Sequence, residues 1–197
     1  MDIYYCHVSH IYKSKIKELL LKDIGIKRFQ HSLRVAEIAK ELGEIYEGDL
    51  QKIHIAALLH DCGKITSKNN LLKKAYDFDI ILDDIMLENT ELIHGPLGAK
   101  IAEKQYSIKD REILNAIYYH TTGRENMSLT EKIIFISDYI EPGRSFPGIE
   151  EVRKFAYIDI NKSVLLAMNQ TIKFLIDKNK LISDETIKAR NSLIKSN

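Results

Sequence analysis

The sequence contains few of the residues that mark unusual protein classes. Its 197 residues include only 2 cysteines, 3 prolines and 9 glycines. So few prolines and glycines exclude collagen-like and Pro/Gly-rich disordered chains. The two cysteines, Cys6 and Cys62, cannot form a disulfide framework, which favours a reducing compartment such as the cytoplasm. A chain of this length accommodates one ordinary domain, and we expect a single domain over residues 1–197.

Long apolar runs and an excess of one charge are also missing. The longest apolar stretches, such as residues 133–136, are far shorter than the roughly 20 residues that cross a bilayer. No apolar segment follows a basic start, so we expect no secretory signal. Lys and Arg total 29 against 28 Asp and Glu, so no overall field attracts nucleic acid or an acidic membrane. We therefore expect a soluble cytoplasmic protein that binds neither.

Apolar residues recur every three or four positions through most of the sequence, which predicts an all-α fold. A serine followed three residues later by an acid predicts a helix start at Ser107–Asp110 and at Ser128–Glu131. Turns are expected at Gly95-Pro96 and over residues 142–148. We expect helices at about 11–23, 29–43, 49–61, 69–76, 80–87, 95–105, 108–119, 129–141, 158–178 and 184–195.

Several histidines and aspartates occupy helix positions where apolar residues are usual. The apolar helix that contains residues 53–59 ends in the adjacent pair His60 and Asp61. Burying both without partners would cost several kcal/mol, and a metal ion would supply the missing partner. Asp138 follows four apolar residues, and we expect its carboxylate to face inward. Three more histidines have comparable surroundings, namely His31, His94 and His120.

Taken singly, each of these residues also has a structural explanation. A histidine on an apolar helix face is more often a hydrogen-bonded core residue than a metal ligand. Asp138 alone could cap a helix or pair with a core arginine. The ordered set of six residues is more informative than any one member.

That ordered set resembles a known family. His31, the His60-Asp61 pair and Asp138 resemble the pattern of the HD superfamily of metal-dependent phosphohydrolases, and His94 and His120 resemble its two-metal branch. A narrower likeness extends over about residues 15–180. It is to the YqeK family of symmetrical bis(5'-nucleosyl)-tetraphosphatases, which split diadenosine tetraphosphate into two ADP. Four segments carry this likeness: His60-Asp61-Cys62-Gly63-Lys64, residues 94–99, residues 120–123 and residues 137–144.

The resemblance implies a single-domain HD helical bundle with a dinuclear metal site. One metal would be held by His31, His60, Asp61 and Asp138, and the second by His94, His120 and the bridging Asp61. Two divalent ions lower the pKa of a bridging water and stabilise charge on a phosphoryl oxygen. The expected reaction is attack of the bridging hydroxide on a central phosphorus of a dinucleoside tetraphosphate, which releases two nucleoside diphosphates.

The ligand types also restrict the metal. Four imidazoles and two carboxylates disfavour calcium and magnesium and suit iron, manganese, cobalt, nickel or zinc. The resemblance points to iron. Cys62, next to Asp61, is expected to be a small core residue rather than a ligand. We expect His7, His10 and His54 to be structural or surface residues.

Three basic residues are candidates for binding the substrate. Lys64 lies one turn beyond the metal pair and can offer a positive charge to a phosphate or leaving group, although a solvated surface lysine is an equal alternative. We count Lys64 with Asp61 as catalytic. Arg144, in the Pro/Gly-shaped loop, could make bidentate contacts with a polyphosphate. Arg124 is a weaker candidate. Tyr118, Tyr119 and Tyr139 flank ligands and could stack on a base, but core packing is favoured.

Other interpretations stay open at this point. Another HD activity, on guanosine tetraphosphate, a cyclic nucleotide or a deoxynucleotide, would use much the same ligands, because likeness of fold does not decide the substrate. A non-catalytic nucleotide-sensing module is a further alternative. The sequence does not identify the physiological metal, the preferred base or the general acid, and it leaves a homodimer open.

Overall fold

The structure is a computed structural model that describes residues 3–64 and 68–195, with side chains for residues 14–64 and 69–195. Within these residues it contains α-helices and no β-strand, which confirms the all-α class. A short 3-10 helix, Thr90–Ile93, precedes α5. The helices are α1 (Ile3–Ile45), α2 (Leu50–Leu59), α3 (Lys68–Asp77), α4 (Asp84–Glu88), α5 (His94–Lys104), α6 (Arg111–Tyr119), α7 (Leu129–Ile140), α8 (Ile149–Ala156), α9 (Ile160–Asp177) and α10 (Asp184–Lys195).

The first two predicted helices are the two halves of α1. The backbone of α1 leaves helical geometry at Gly25, where φ is 74° and ψ is 165°. A residue without a Cβ adopts such a positive φ at little steric cost, whereas other residues are strained there. Gly25 therefore kinks α1 at a point between the predicted segments 11–23 and 29–43.

The start signals were right for α7 and wrong for α6. The hydroxyl of Ser128 accepts a bond from the Glu131 backbone N–H, and the Glu131 carboxylate accepts one from the Ser128 backbone N–H, which is the predicted capping box. Ser107 instead has a positive φ of 58° and caps no helix. Asp110 is the N-cap of α6 because its short carboxylate accepts from the N–H groups of Glu112 and Ile113.

Three further differences concern short elements. The helix predicted at 80–87 begins only at Asp84, because the Asp83 carboxylate caps it. Gly95 and Pro96 form no turn but lie in the first turn of α5, where proline is tolerated because its missing N–H has no helical partner. The loop at 142–148 is confirmed, but the eight-residue helix α8 that follows it was not predicted.

The apolar helix α2 lies at the centre of the fold. It packs against α1, α6 and α7, and its residues Ile53, Leu58 and Leu59 are completely buried. A helix that is apolar on most of its surface is typically a central one, because it has no face suited to water. The C-terminal end of α2, followed directly by His60 and Asp61, is therefore buried in the protein interior.

The C-terminal helices α9 and α10 pack on the outside of this core. The lysines between Lys173 and Lys195 are exposed, as expected for a solvated helix face. In the described part of the chain, every helix is too short or too polar to cross a lipid bilayer.

Candidate metal centre

Five helices bring the six predicted metal ligands to one place. The side chains come from the middle of α1, the residues just after α2, the first residue of α5, the residue just after α6, and α7. All are buried except Asp138, which is partly exposed. In chain order the ligand candidates are His31, His60, Asp61, His94, His120 and Asp138.

One half of the cluster contains His31, His60 and Asp138. The Nε2 atoms of His31 and His60 are 3.2 Å apart. An oxygen of Asp138, Oδ1, lies 3.1 Å from Nε2 of His31 and 3.9 Å from Nε2 of His60. These three donor atoms therefore face a common point, as metal ligands do.

The other half contains His94 and His120, whose Nε2 atoms are 2.9 Å apart. Oδ1 of Asp61 lies 3.2 Å from Nε2 of His94 and 3.8 Å from Nε2 of His120. The second oxygen of the same carboxylate, Oδ2, lies 3.6 Å from Nε2 of His31 and 3.6 Å from Nε2 of His60. Asp61 thus presents one oxygen to each histidine pair.

In three of the four histidines, the contacts of Nδ1 indicate which ring nitrogen carries the proton. Nδ1 of His60 and of His120 each donates to a backbone carbonyl three residues earlier, at 2.7 Å in both cases. Nδ1 of His94 donates in the same way to the carbonyl of Glu91. Because a carbonyl oxygen only accepts, each Nδ1 carries a proton, and in a neutral ring Nε2 then presents a lone pair.

Such lone pairs facing each other at about 3 Å repel unless a cation lies between them. Burial lowers the pKa of His60 to about 4 and also lowers the pKa of His94, so both rings are neutral near pH 7. Burial opposes ionisation of Asp138, but the hydrogen bond with His31 and the electrostatic effects of His60 and Arg144 outweigh it and hold the pKa of this carboxyl well below its usual range. Neutral imidazoles beside an ionised carboxylate fit divalent transition-metal ions.

Comparison with known proteins agrees with this geometry. The family model described as "HD domain" matches residues 28–143, more than half of the chain.

The chain belongs to the HD-domain family.

The similarity between this HD-domain protein and its relatives extends over nearly its whole length. It is 41% identical to the symmetrical bis(5'-nucleosyl)-tetraphosphatase of Staphylococcus aureus, over 90% of this chain and 92% of that protein. It is 38% identical to the protein of the same name from Bacillus subtilis, over 85% and 89% of the two chains. Family membership and the His/Asp cluster together indicate a divalent metal centre.

A solved structure from Clostridium acetobutylicum has the same fold. It is described as a predicted HD superfamily hydrolase involved in NAD metabolism, with a TM-score of 0.89 and 45% sequence identity. The alignment covers 94% of this chain and 98% of that chain. The HD match lies inside the predicted motif-bearing region of about 15–180, whereas a single domain over residues 1–197 stays a prediction.

Glu141, which the sequence indicated only as part of a motif, lies directly beside the ligand cluster of this HD-domain protein. Its Oε1 lies 3.4 Å from Nδ1 of His31. Its Oε2 accepts a bond from Nε of Arg34 at 2.7 Å and from the backbone N–H of Gly143 at 2.8 Å. Glu141 therefore places a carboxylate beside Nδ1 of His31, the position from which carboxylates support metal-ligating histidines.

Arg28 is a second residue that the sequence pattern did not indicate. Its Nη1 lies 2.7 Å from Oδ2 of Asp61, and its side chain is 36% exposed. Arg28 precedes His31 by three residues on α1, so the two lie on the same helix face. That spacing is a signal that could have identified it once His31 was recognised.

A basic cavity of about 380 Å³ opens beside the first half of the cluster. Arg144 lines it and places Nη2 2.9 Å from Oδ1 of Asp138. Lys64 lines it as well, with Nζ 2.7 Å from Oε2 of Glu91. Its remaining lining residues are Lys27, Arg28, His31, Glu141 and Gly143.

The third basic candidate, Arg124, is not brought to the cluster. Its guanidinium makes two bonds to the carboxylate of Glu131, at 2.7 and 3.2 Å, and lies over the ring of Tyr119. Because Glu131 is buried in the capping box of α7, these contacts are structural.

The remaining candidates lie outside the ligand cluster. Cys62 is buried and its thiol contacts the carbonyl of Gly98 at 3.2 Å. Burial raises the pKa of this thiol, which agrees with a core role. His54 lies on α2 and belongs to neither half of the cluster. The side chains of His7 and His10 lie outside the described residues.

Proposed function

We propose that this HD-domain protein is a metal-dependent hydrolase that splits dinucleoside tetraphosphates, such as diadenosine tetraphosphate, symmetrically into two nucleoside diphosphates. The observation that carries the proposal is the position of Asp61, whose two carboxylate oxygens face two separate histidine pairs. A carboxylate shared in this way suits two metal ions a few ångströms apart. The names of the relatives from Staphylococcus aureus and Bacillus subtilis support the choice of substrate.

The two metal positions differ in their donors. His31, His60 and Asp138 with Oδ2 of Asp61 would hold one ion, and His94 and His120 with Oδ1 of Asp61 would hold the other. When bound, divalent ions activate water and stabilise charge on phosphoryl oxygens. We propose iron as the physiological metal, with manganese, cobalt, nickel and zinc as alternatives that the same donors accept.

The side chains in the basic cavity would hold the phosphates. Arg28 and Arg144 each place a guanidinium within 3 Å of a ligand carboxylate, so both lie at the edge of the centre. A planar guanidinium can make two parallel bonds to a phosphate, which fixes the orientation of the chain of phosphates. Lys64 adds a third positive charge at the same opening.

We also propose that the protein acts in the cytoplasm on a small nucleotide rather than on nucleic acid. Its use of cysteine supports a reducing compartment, because the described Cys62 is a buried residue with a free thiol. The balance of 29 basic and 28 acidic residues favours local recognition of phosphate over binding to a polyanion.

The test is hydrolysis of diadenosine tetraphosphate with the products separated by chromatography. Protein purified without added metal is analysed for its elements and then assayed as purified and after loading with iron, manganese, cobalt, nickel or zinc. ADP is expected as the sole nucleotide product. ATP with AMP, or no turnover with any metal, rejects the proposal. Faster turnover of guanosine tetraphosphate, a cyclic nucleotide or a deoxynucleotide in the same assay would assign another HD activity.

A further inference from the structure

Arg144 also lines a second cavity, of about 180 Å³. Two of the metal-ligand candidates, His120 and Asp138, are among its lining residues. Its remaining lining residues are Thr121, Phe135, Tyr139, Arg144, Phe146 and Thr171, so that three aromatic rings converge on it.

The three rings support one another. Phe135 and Tyr139, one turn apart on α7, are nearly parallel, with an angle of 9° between their planes and 6.5 Å between their centroids. Phe146, in the loop after α7, meets Tyr139 edge-on at 5.2 Å. The hydroxyl of Tyr139 donates to the side chain of Gln170 at 3.1 Å, which fixes the ring. Tyr139 and Phe146 are partly exposed, so their rings remain accessible.

We propose that this aromatic cavity binds the nucleoside end of one half of the substrate, with the base against Tyr139 and Phe146. The inference rests on the proposed function, because it assigns a position to part of that substrate. Arg144 lines both this cavity and the basic one. A nucleotide whose phosphates lie beside Arg144 would therefore place its nucleoside among the aromatic rings. Aromatic rings bind bases by stacking on their faces.

The volume of the cavity agrees with this assignment. Pockets that enclose a whole small ligand usually measure about 300–1,000 Å³. A cavity of about 180 Å³ therefore takes only one end of an extended nucleotide, while the phosphates lie in the basic cavity of about 380 Å³.

A third cavity, of about 300 Å³, is the competing location for a base. It lies across Thr121 and is lined by Tyr118 and Tyr119. It contains none of the six ligand candidates, and the carboxylates of Asp83 and Glu185 line it. Those carboxylates repel phosphate, and no shared arginine connects this cavity to the basic one among the described residues.

The experiment compares the binding of ADP and of inorganic pyrophosphate to the metal-containing protein by isothermal titration calorimetry. Both probes carry two phosphates, but only ADP carries a base. Tyr139→Ala and Phe146→Ala are each expected to weaken ADP binding about 10-fold, as expected for the loss of base stacking. Pyrophosphate binding should stay as in the wild type. Tyr139→Phe keeps the ring and should bind ADP within about twofold of the wild type.

Tyr118→Ala is the matched control, because it removes a tyrosine from the competing cavity. The inference is overturned by unchanged ADP binding in Tyr139→Ala and Phe146→Ala, by equal weakening of both probes, or by a selective loss of ADP in Tyr118→Ala. Phe146 lies in a loop, so its variant decides the matter if circular dichroism shows that Tyr139→Ala does not fold. The proposed function fails separately, when the wild type does not release ADP from diadenosine tetraphosphate.

Discussion

Glu141 lies 3.4 Å from Nδ1 of His31, whereas Nδ1 of each of the other three histidines in the cluster faces a backbone carbonyl. His31 sits in the middle of a helix, where the preceding carbonyls are used by the helix itself. Its Nδ1 instead faces the carboxylate of a residue 110 positions later in the sequence, and that carboxylate is in turn held by Arg34.

Replacing Glu141 by Gln should weaken metal binding by about 10- to 100-fold. The amide keeps the shape of the side chain but loses the charge that supports His31 and pairs with Arg34. Competition with a chelator measures the affinity. The exposed pair between Lys40 and Glu44 provides the control, since Glu44→Gln should bind metal like the wild type. Equal affinity in the two variants would show that Glu141 has no positioning role.

Replacing Asp61 by Asn should remove both bound metal and turnover while the helices persist. The amide cannot offer a charged oxygen to each histidine pair, and the ligands on the two sides then lack their common partner. Elemental analysis, the ADP assay and circular dichroism give the three readouts. Asp84→Asn, at an exposed helix start, serves for comparison. If Asp61→Asn retains metal and activity, the shared role of this carboxylate is wrong.

Arg144→Ala should raise the KM for diadenosine tetraphosphate about 10-fold or more, because a charged hydrogen-bond donor at the phosphate cavity is lost. Arg124→Ala should leave KM unchanged and lower the free energy of unfolding by about 1–2 kcal/mol, because the buried Glu131 loses its partner. Steady-state kinetics and urea denaturation distinguish the two effects. Metal content is measured in both, since Arg144 also contacts Asp138. A raised KM without a loss of stability in Arg124→Ala would instead assign Arg124 to the substrate site.

Gly63→Ala should destabilise the protein by about 1–3 kcal/mol and reduce metal binding. A Cβ at Gly63 would lie 2.3 Å from the backbone oxygen of His94 and 2.5 Å from the backbone nitrogen of Gly98, so α5 would have to move and carry His94 with it. At Gly43 a Cβ would meet the end of the Leu50 side chain at 2.8 Å, and a flexible side chain can turn away. Thermal unfolding and metal titration of both alanine variants test this. A Gly63→Ala protein with the metal affinity of Gly43→Ala would refute it.

Sequence patterns predicted helices and caps correctly where interactions between neighbouring residues determine the structure. The three- and four-residue spacing of apolar side chains predicted most helices, and the Ser128–Glu131 box lies within a single helical turn. The helix α8 was not predicted, because it is only eight residues long and follows a Pro/Gly loop. Ser107 and Asp110 match a capping pattern in the sequence. In the structure, however, Ser107 has a positive φ, and Asp110 itself is the N-cap of α6.

The amino-acid sequence alone determined the helical class and, through likeness to a family, identified the six ligand candidates. Tertiary structure decided how they are arranged: Asp61 between two histidine pairs, Arg28 against Asp61, and Arg34 against Glu141. Apart from the adjacent His60 and Asp61, these contacts join side chains between 30 and 107 residues apart. No periodicity links positions so distant, because their separation depends on how α1, α2, α5, α6 and α7 pack around the buried end of α2.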